Sequence, residues 1–132
     1  MEQDTDDGWP AFFPENCPPA AAGPASGRAY RFVRNDPPLS IDFKSYKEAG
    51  TTYQGAECEA CSLSLLRNLD DIRYMRKAIP GMKKRYVAIG ELRTGVVQHT
   101  PSRFNSHHSW WLPVHATVEG DFAVIELDEA EM

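Results

Sequence analysis

The sequence predicts an α+β fold, with a mainly antiparallel sheet and one well-signalled helix. Three observations carry this. Residues 69–79 place Leu69, Ile72, Met75 and Ile79 at helical spacing. Most other apolar stretches alternate with the period of a strand. The strands cluster after the helix and do not interleave with further helices, an order that favours antiparallel pairing.

Taken in order, residues 1–27 form an N-terminal arm rich in Pro and Ala. It holds five of the ten prolines, Pro10, Pro14, Pro18, Pro19 and Pro24. Proline fixes φ and lacks a backbone donor, so extended or irregular chain is expected. Trp9, Phe12 and Phe13 offer the arm a way to pack, with a flexible linker expected over 20–27. The domain proper spans 28–128, and 129–132 is an acidic tail. The first strand is 29–34, where Tyr30 and Phe32 alternate with Arg31 and Val33, and Asp36-Pro37-Pro38 ends it. Residues 40–49 read as a strand followed by a short helix near 42–49, and Gly50 stops them.

A short buried strand is expected over 60–66. The helix that follows has Asn68 as its cap, with Asp70 and Asp71 in the first turn. Arg76 and Lys77 lie near its end, as the helix dipole favours, and Pro80-Gly81 terminates it. Residues 85–92 form a strand, and Thr94-Gly95 turns it into a hairpin with 96–100. Residues 110–118 alternate as a strand. The turn Glu119-Gly120-Asp121 then leads to a last strand, 122–127, which completes a C-terminal hairpin.

Composition narrows the function classes. The chain has 132 residues, 42% hydrophobic and 25% charged, which fits one globular domain. No apolar run approaches the ~20 residues of a membrane-spanning helix. The acidic N-terminus (Glu2, Asp4, Asp6, Asp7) is opposite to a secretory leader, so a cytoplasmic location is expected. Three cysteines, Cys17, Cys58 and Cys61, form no disulfide framework, and free thiols are expected in that compartment. The net charge is −5, yet residues 67–85 hold seven bases against Asp70 and Asp71. That asymmetry suits a protein partner or a small nucleotide-like, phosphate-bearing ligand. No duplex nucleic-acid motif is present.

The four histidines, His99, His107, His108 and His115, all fall within 99–115. Three readings follow. In the first, Cys58 and Cys61 with His107 and His115 hold zinc, although no second C-x-x-C exists and the His spacing is too long for a finger. In the second, His107 and His108 act as donor or base, Arg31 and Ser62 or Ser64 hold phosphates, and Glu126 supplies a carboxylate. Trp110, Trp111 and His115 would then contact a ligand or partner. In the third, the tryptophans are packing residues. No G-x-S-x-G elbow, P-loop or dinucleotide fingerprint is present. No cofactor is expected, with NAD or zinc as the alternatives.

Two resemblances add to this. Phe13-Pro14, Cys17-Pro18-Pro19, Tyr30-Arg31, Asp42-Phe43-x-Ser45, Cys58-x-x-Cys61-x-Leu63-Ser64 and His107-His108-x-Trp110-Trp111 resemble a pattern in small bacterial proteins of unassigned activity. The chain also resembles, more weakly, the ADP-ribosyltransferase fold. In that fold a first-strand Arg binds NAD, a Ser-bearing strand precedes a helix, and a Glu comes late. Arg31, Ser62 or Ser64, and Glu126 fill those places in order, without the fold's paired S-T-S and E-x-E motifs. The leading expectation is a small interaction or ligand-binding domain, accessory to a bacterial toxin or defence system. The competing one is an ADP-ribosyltransferase-like enzyme using NAD.

Overall fold

The computed structural model describes residues 8–51 and 55–127. The acidic tail and the first seven residues lie outside these. Seven strands form one antiparallel sheet: β1 (Gly23–Pro24), β2 (Gly27–Val33), β3 (Leu63–Leu66), β4 (Tyr86–Leu92), β5 (Val96–His99), β6 (His107–Trp111) and β7 (Phe122–Ile125). Their order is β1-β5-β6-β3-β2-β4-β7. Three α-helices are present among the described residues: α1 (Tyr46–Ala49), α2 (Glu57–Ala60) and α3 (Leu69–Ala78). The fold is α+β and mostly sheet. No helix among the described residues is long and apolar enough to cross a membrane.

The helix α3 forms as its residues dictate. Asn68 Oδ1 accepts from the Asp70 N–H at 2.7 Å, filling one of the donors a helix start leaves open. Asp71 turns outward from the helix and accepts from both the N–H and the hydroxyl of Ser106, at 2.9 and 2.6 Å. The helix is thereby fastened to the loop before β6. Its apolar face, with Ile72 fully buried, packs on Tyr30, Leu66, Val87 and Phe104.

The other face of the sheet carries the larger core. Ala29, Val33, Leu63, Leu65, Ala88, Leu92 and Trp110 meet Phe43, Val118 and Phe122 there. Phe122 lies across from Gly90 on the neighbouring strand. A Cβ at Gly90 would sit 2.5 Å from the Phe122 ring, so only glycine allows this closure. Successive strand residues point to opposite faces. Trp110 therefore joins the larger core, while Trp111 joins a third cluster with Cys17, Cys61, Trp9 and Phe13.

Several expectations are corrected. The 20–27 segment is not a free linker, because Gly23–Pro24 pairs with β5 and the Ala25 N–H bonds to Gly95 O at 3.0 Å. Residues 40–49 contain a 3₁₀ turn, Ser40–Phe43, and then α1, with no strand. The expected strand at 60–66 begins at Leu63, preceded by α2. β4 and β5 do not form a hairpin: β4 pairs with β2 and β7, and β5 with β1 and β6. Gly95, at φ +85°, carries the chain between the two halves of the sheet. The alternation over 110–118 stops being a strand at Trp111, since Pro113 and the left-handed His115 (φ +67°) break it. Val118 still reaches the core from irregular chain. β6 and β7 lie on different halves of the sheet, so no C-terminal hairpin exists. Finally, Cys17 and Cys58 are joined in a disulfide, not free, and Cys61 is the remaining thiol.

Replacing Gly90 with Ala must displace the Phe122 ring. It should cost about 1–3 kcal/mol, the usual range for overpacking, measured by urea denaturation.

Candidate functional site

β2 and β3 pair at a single position, Tyr30 with Leu66. Where they part, Arg31 closes the gap. Its Nη1 donates to Ser64 O at 2.8 Å, and its Nε and Nη2 donate to Asp42 O at 3.0 and 2.9 Å. The guanidinium also lies 5.6 Å from the centre of the Phe43 ring. Burial pulls its pKa down to about 10, against the opposing charges of Asp42 and Tyr46, with Arg85 lowering it further. It stays a cation at neutral pH.

Asp42 is the counterpart. Its carboxylate accepts from the Arg34 and Leu39 N–H groups at 2.8 and 2.9 Å and from Asn35 Nδ2 at 3.1 Å. Burial pushes its pKa up. The bonds from Leu39, Arg34 and Asn35 and the Arg31 charge outweigh that, and the pKa falls below its ordinary 3.8. One carboxylate thus shapes the 34–42 loop and delivers its own main-chain carbonyl to Arg31.

On the other side of the split, Ser64 Oγ lies 3.1 Å from His107 Nε2. His107 Nδ1 is 3.0 Å from Thr100 O and 3.0 Å from Thr100 Oγ1. A carbonyl only accepts, so that contact places the imidazole proton on Nδ1. Nε2 is then left to accept from the Ser64 hydroxyl. Thr100 Oγ1 in turn contacts the buried Ser109 Oγ at 3.0 Å. The result is a short polar line, Ser64–His107–Thr100–Ser109, on the sheet face of Tyr30 and Leu66, whereas Arg31 issues from the opposite face, with Ala29 and Val33. The line resembles in outline a nucleophile, a base and a group that orients the base.

The other expected residues sit elsewhere. His108 points to the opposite side of β6, meets the His99 ring at a tilt of 34° with ring centres 4.9 Å apart, and donates from Nδ1 to Ser106 O. Burial lowers its pKa below 6.5, Ser106 O opposes this, and the charges of Arg67, His99 and His107 add to it. Ser62 Oγ donates to Glu59 O and turns the chain at the end of α2. Glu126 is exposed just past β7. β7 is four strand positions from β6, about 19 Å by normal strand spacing. Trp110 and Trp111 are each only 1% exposed and donate their indole N–H to Thr94 O and Cys58 O. They are packing residues and are not free to cover a ligand. His115 is exposed and lines a separate cleft of about 170 Å³, shared with Phe12, Phe13, Phe43 and Glu48.

The alternative zinc set is not assembled. The Cys58 sulfur is bonded to Cys17, and no group of three or more His, Cys, Asp or Glu gathers among the described residues. Thr100, Ser109 and Asp42 were not foreseen as parts of the site. They act through a main-chain carbonyl, a cross-strand hydroxyl and a loop carboxylate, none of which follows a linear motif.

No family model, no curated protein and no solved structure matches the chain.

Two outcomes test this geometry. Arg31→Lys keeps the charge but loses the fork to the Asp42 and Ser64 carbonyls, and should cost about 1–3 kcal/mol in chemical denaturation. Asp42 has a folded pKa below its unfolded value, so its contribution is complete above 3.8 and lost as pH falls through the lower folded value. The acid limb of a stability–pH curve should therefore flatten in Asp42→Asn relative to the parent.

Proposed function

We propose that this chain is a small ligand-binding domain for a phosphate-bearing, nucleotide-like molecule. The ligand would seat at the split between β2 and β3. The observation that carries the reading is that Ser64 bridges two groups far apart in sequence, its carbonyl accepting from Arg31 and its hydroxyl lying 3.1 Å from His107 Nε2. Main-chain carbonyls use three of the five guanidinium N–H groups of Arg31. Two donors remain to face a phosphate oxygen. The Ser64 hydroxyl and His107 add groups that bind a ribose or phosphate oxygen.

A second reading has one specific support. Arg31 on the first long strand and Ser64 on the strand before α3 occupy the order expected of an ADP-ribosyltransferase-like domain using NAD. Against transfer chemistry stands Glu126, exposed just past β7 and three strand positions, about 14 Å, from Ser64 on β3. Binding without transfer is therefore the preferred form. An accessory role beside a bacterial toxin or defence system suits a sensor of this size. A cytoplasmic location remains part of the proposal, and it requires the Cys17–Cys58 bond to be a reversible one, since the cytosol keeps ordinary disulfides reduced.

Thermal unfolding with NAD, ADP-ribose and inorganic phosphate is the test. A ligand at a hundredfold excess over its Kd adds about 2.7 kcal/mol of stability. ADP-ribose should raise the midpoint, and Ser64→Ala should reduce that rise while unfolding normally without ligand. No shift with any of the three at millimolar concentration would refute the reading.

A further inference from the structure

We propose that Cys17, Cys58 and Cys61 form a thiol-exchange site that latches the N-terminal arm. Its co-reactant is a low-molecular-weight thiol of the glutathione class. The inference is independent of the ligand reading.

The arm is joined to the domain covalently at one point, the Cys17–Cys58 disulfide across 41 residues. Its other attachments are non-covalent. Trp9 stacks on Phe13 at 5.9 Å, and both pack against the Cys17, Cys61 and Trp111 cluster. The Val114 N–H bonds to Gly8 O at 2.6 Å. A third sulfur lies in that same cluster. Cys61 closes the turn of α2 that contains Cys58, with the Cys61 N–H bonded to Cys58 O at 3.1 Å. Side chains three residues apart on a helical turn have Cβ atoms about 5–6 Å apart. A disulfide needs roughly 3.5–4.5 Å, so a small closure suffices.

Exposure sets the order of events. Cys17 and Cys61 are buried and Cys58 is half-buried. An incoming thiolate therefore attacks Cys58 Sγ. The Cys17–Cys58 bond breaks, its electron pair leaves on Cys17 Sγ, and that thiolate takes up a proton. Cys61 then loses its proton and attacks Cys58 Sγ, forming Cys58–Cys61 and expelling the incoming thiol. The sum is a disulfide isomerisation with no net oxidation, and the external thiol is recovered. Burial and the Glu57 charge hold the Cys61 thiol above its ordinary pKa, with Lys47 opposing. In the latched form it is thus a poor nucleophile, and exchange waits for the external thiol. Departure of the arm uncovers Cys61 and removes the burial that restrained it. It also takes Pro10, Phe12 and Phe13 from one wall of the small cleft, leaving Phe43, Leu63 and Leu112 open.

The experiment treats the full-length protein with reduced glutathione, quenches with an alkylating agent, and maps the disulfides by peptide mass. The expected product has Cys17 alkylated and Cys58 joined to Cys61. Limited proteolysis should then cut the arm near Phe12 and Phe13 faster than before treatment. In Cys61→Ala the Cys58–glutathione adduct should accumulate in place of the internal bond. If that variant does not fold, the wild-type map decides alone. Conversion of the wild type straight to three thiols, or no reaction at native pH, would overturn the proposal.

Discussion

The structure turns on the guanidinium of Arg31. A sheet whose two halves touch at one residue pair, Tyr30 with Leu66, has a wedge of unpaired main chain where they diverge. Unpaired carbonyls in a protein interior are costly. Arg31 answers this by bonding Ser64 O on one lip and Asp42 O on the other. Lysine, with a single point of charge, could not span both with planar geometry. The same residue that closes the fold therefore holds a positive charge against the main chain of Ser64, whose hydroxyl lies on the other side, at His107. Asp42 supports this closure by ordering the loop that presents its carbonyl.

The two halves of the sheet are closed by different means. On the β4–β7 side, Phe122 fills the space left by Gly90 and meets Phe43 and Trp110. On the β5–β6 side, Trp111 is covered by the arm, whose hold is aromatic stacking plus one disulfide. In the loop-entropy view a closed loop of 41 residues contributes about 4 kcal/mol. Much of the arm's attachment thus rests on a bond that thiol chemistry can break. Polar restraint on the β5–β6 side runs in the line from Ser64 through His107 to Thr100 and Ser109.

Local signals were legible in the sequence, and long-range ones were not. The helix α3 could be read within a residue of its observed end, because its cap, dipole-matched charges, apolar stripe and Pro80-Gly81 stop are all local. Packing of the arm through Trp9 and Phe13 followed from aromatic residues amid prolines. The pairing of strands did not. Thr94-Gly95 has the chemistry of a hairpin turn, yet the chain there crosses to the far half of the sheet, because β4 is already paired on both sides by β2 and β7. The alternation over 112–118 came from residues whose burial is real for Val118 but whose backbone is broken at Pro113 and His115. Arg31, Ser64 and His107 were singled out by type. The bonds of Ser64 to Arg31 and His107 depend on β3 lying between β2 and β6, which no local spacing encodes. The Cys17–Cys58 pairing was hidden for the same reason.

The central claim is that the Arg31 fork and the Ser64–His107 pair form one ligand site. Its most direct measurement is a nuclear magnetic resonance titration of isotope-labelled protein with ADP-ribose, following the Arg31 Nε–H, the Ser64 amide and the His107 ring. The account predicts saturable shifts confined to these groups and their neighbours Thr100, Ser109 and Asp42. Shifts confined to the arm and the His115 cleft, or none at all, would contradict it.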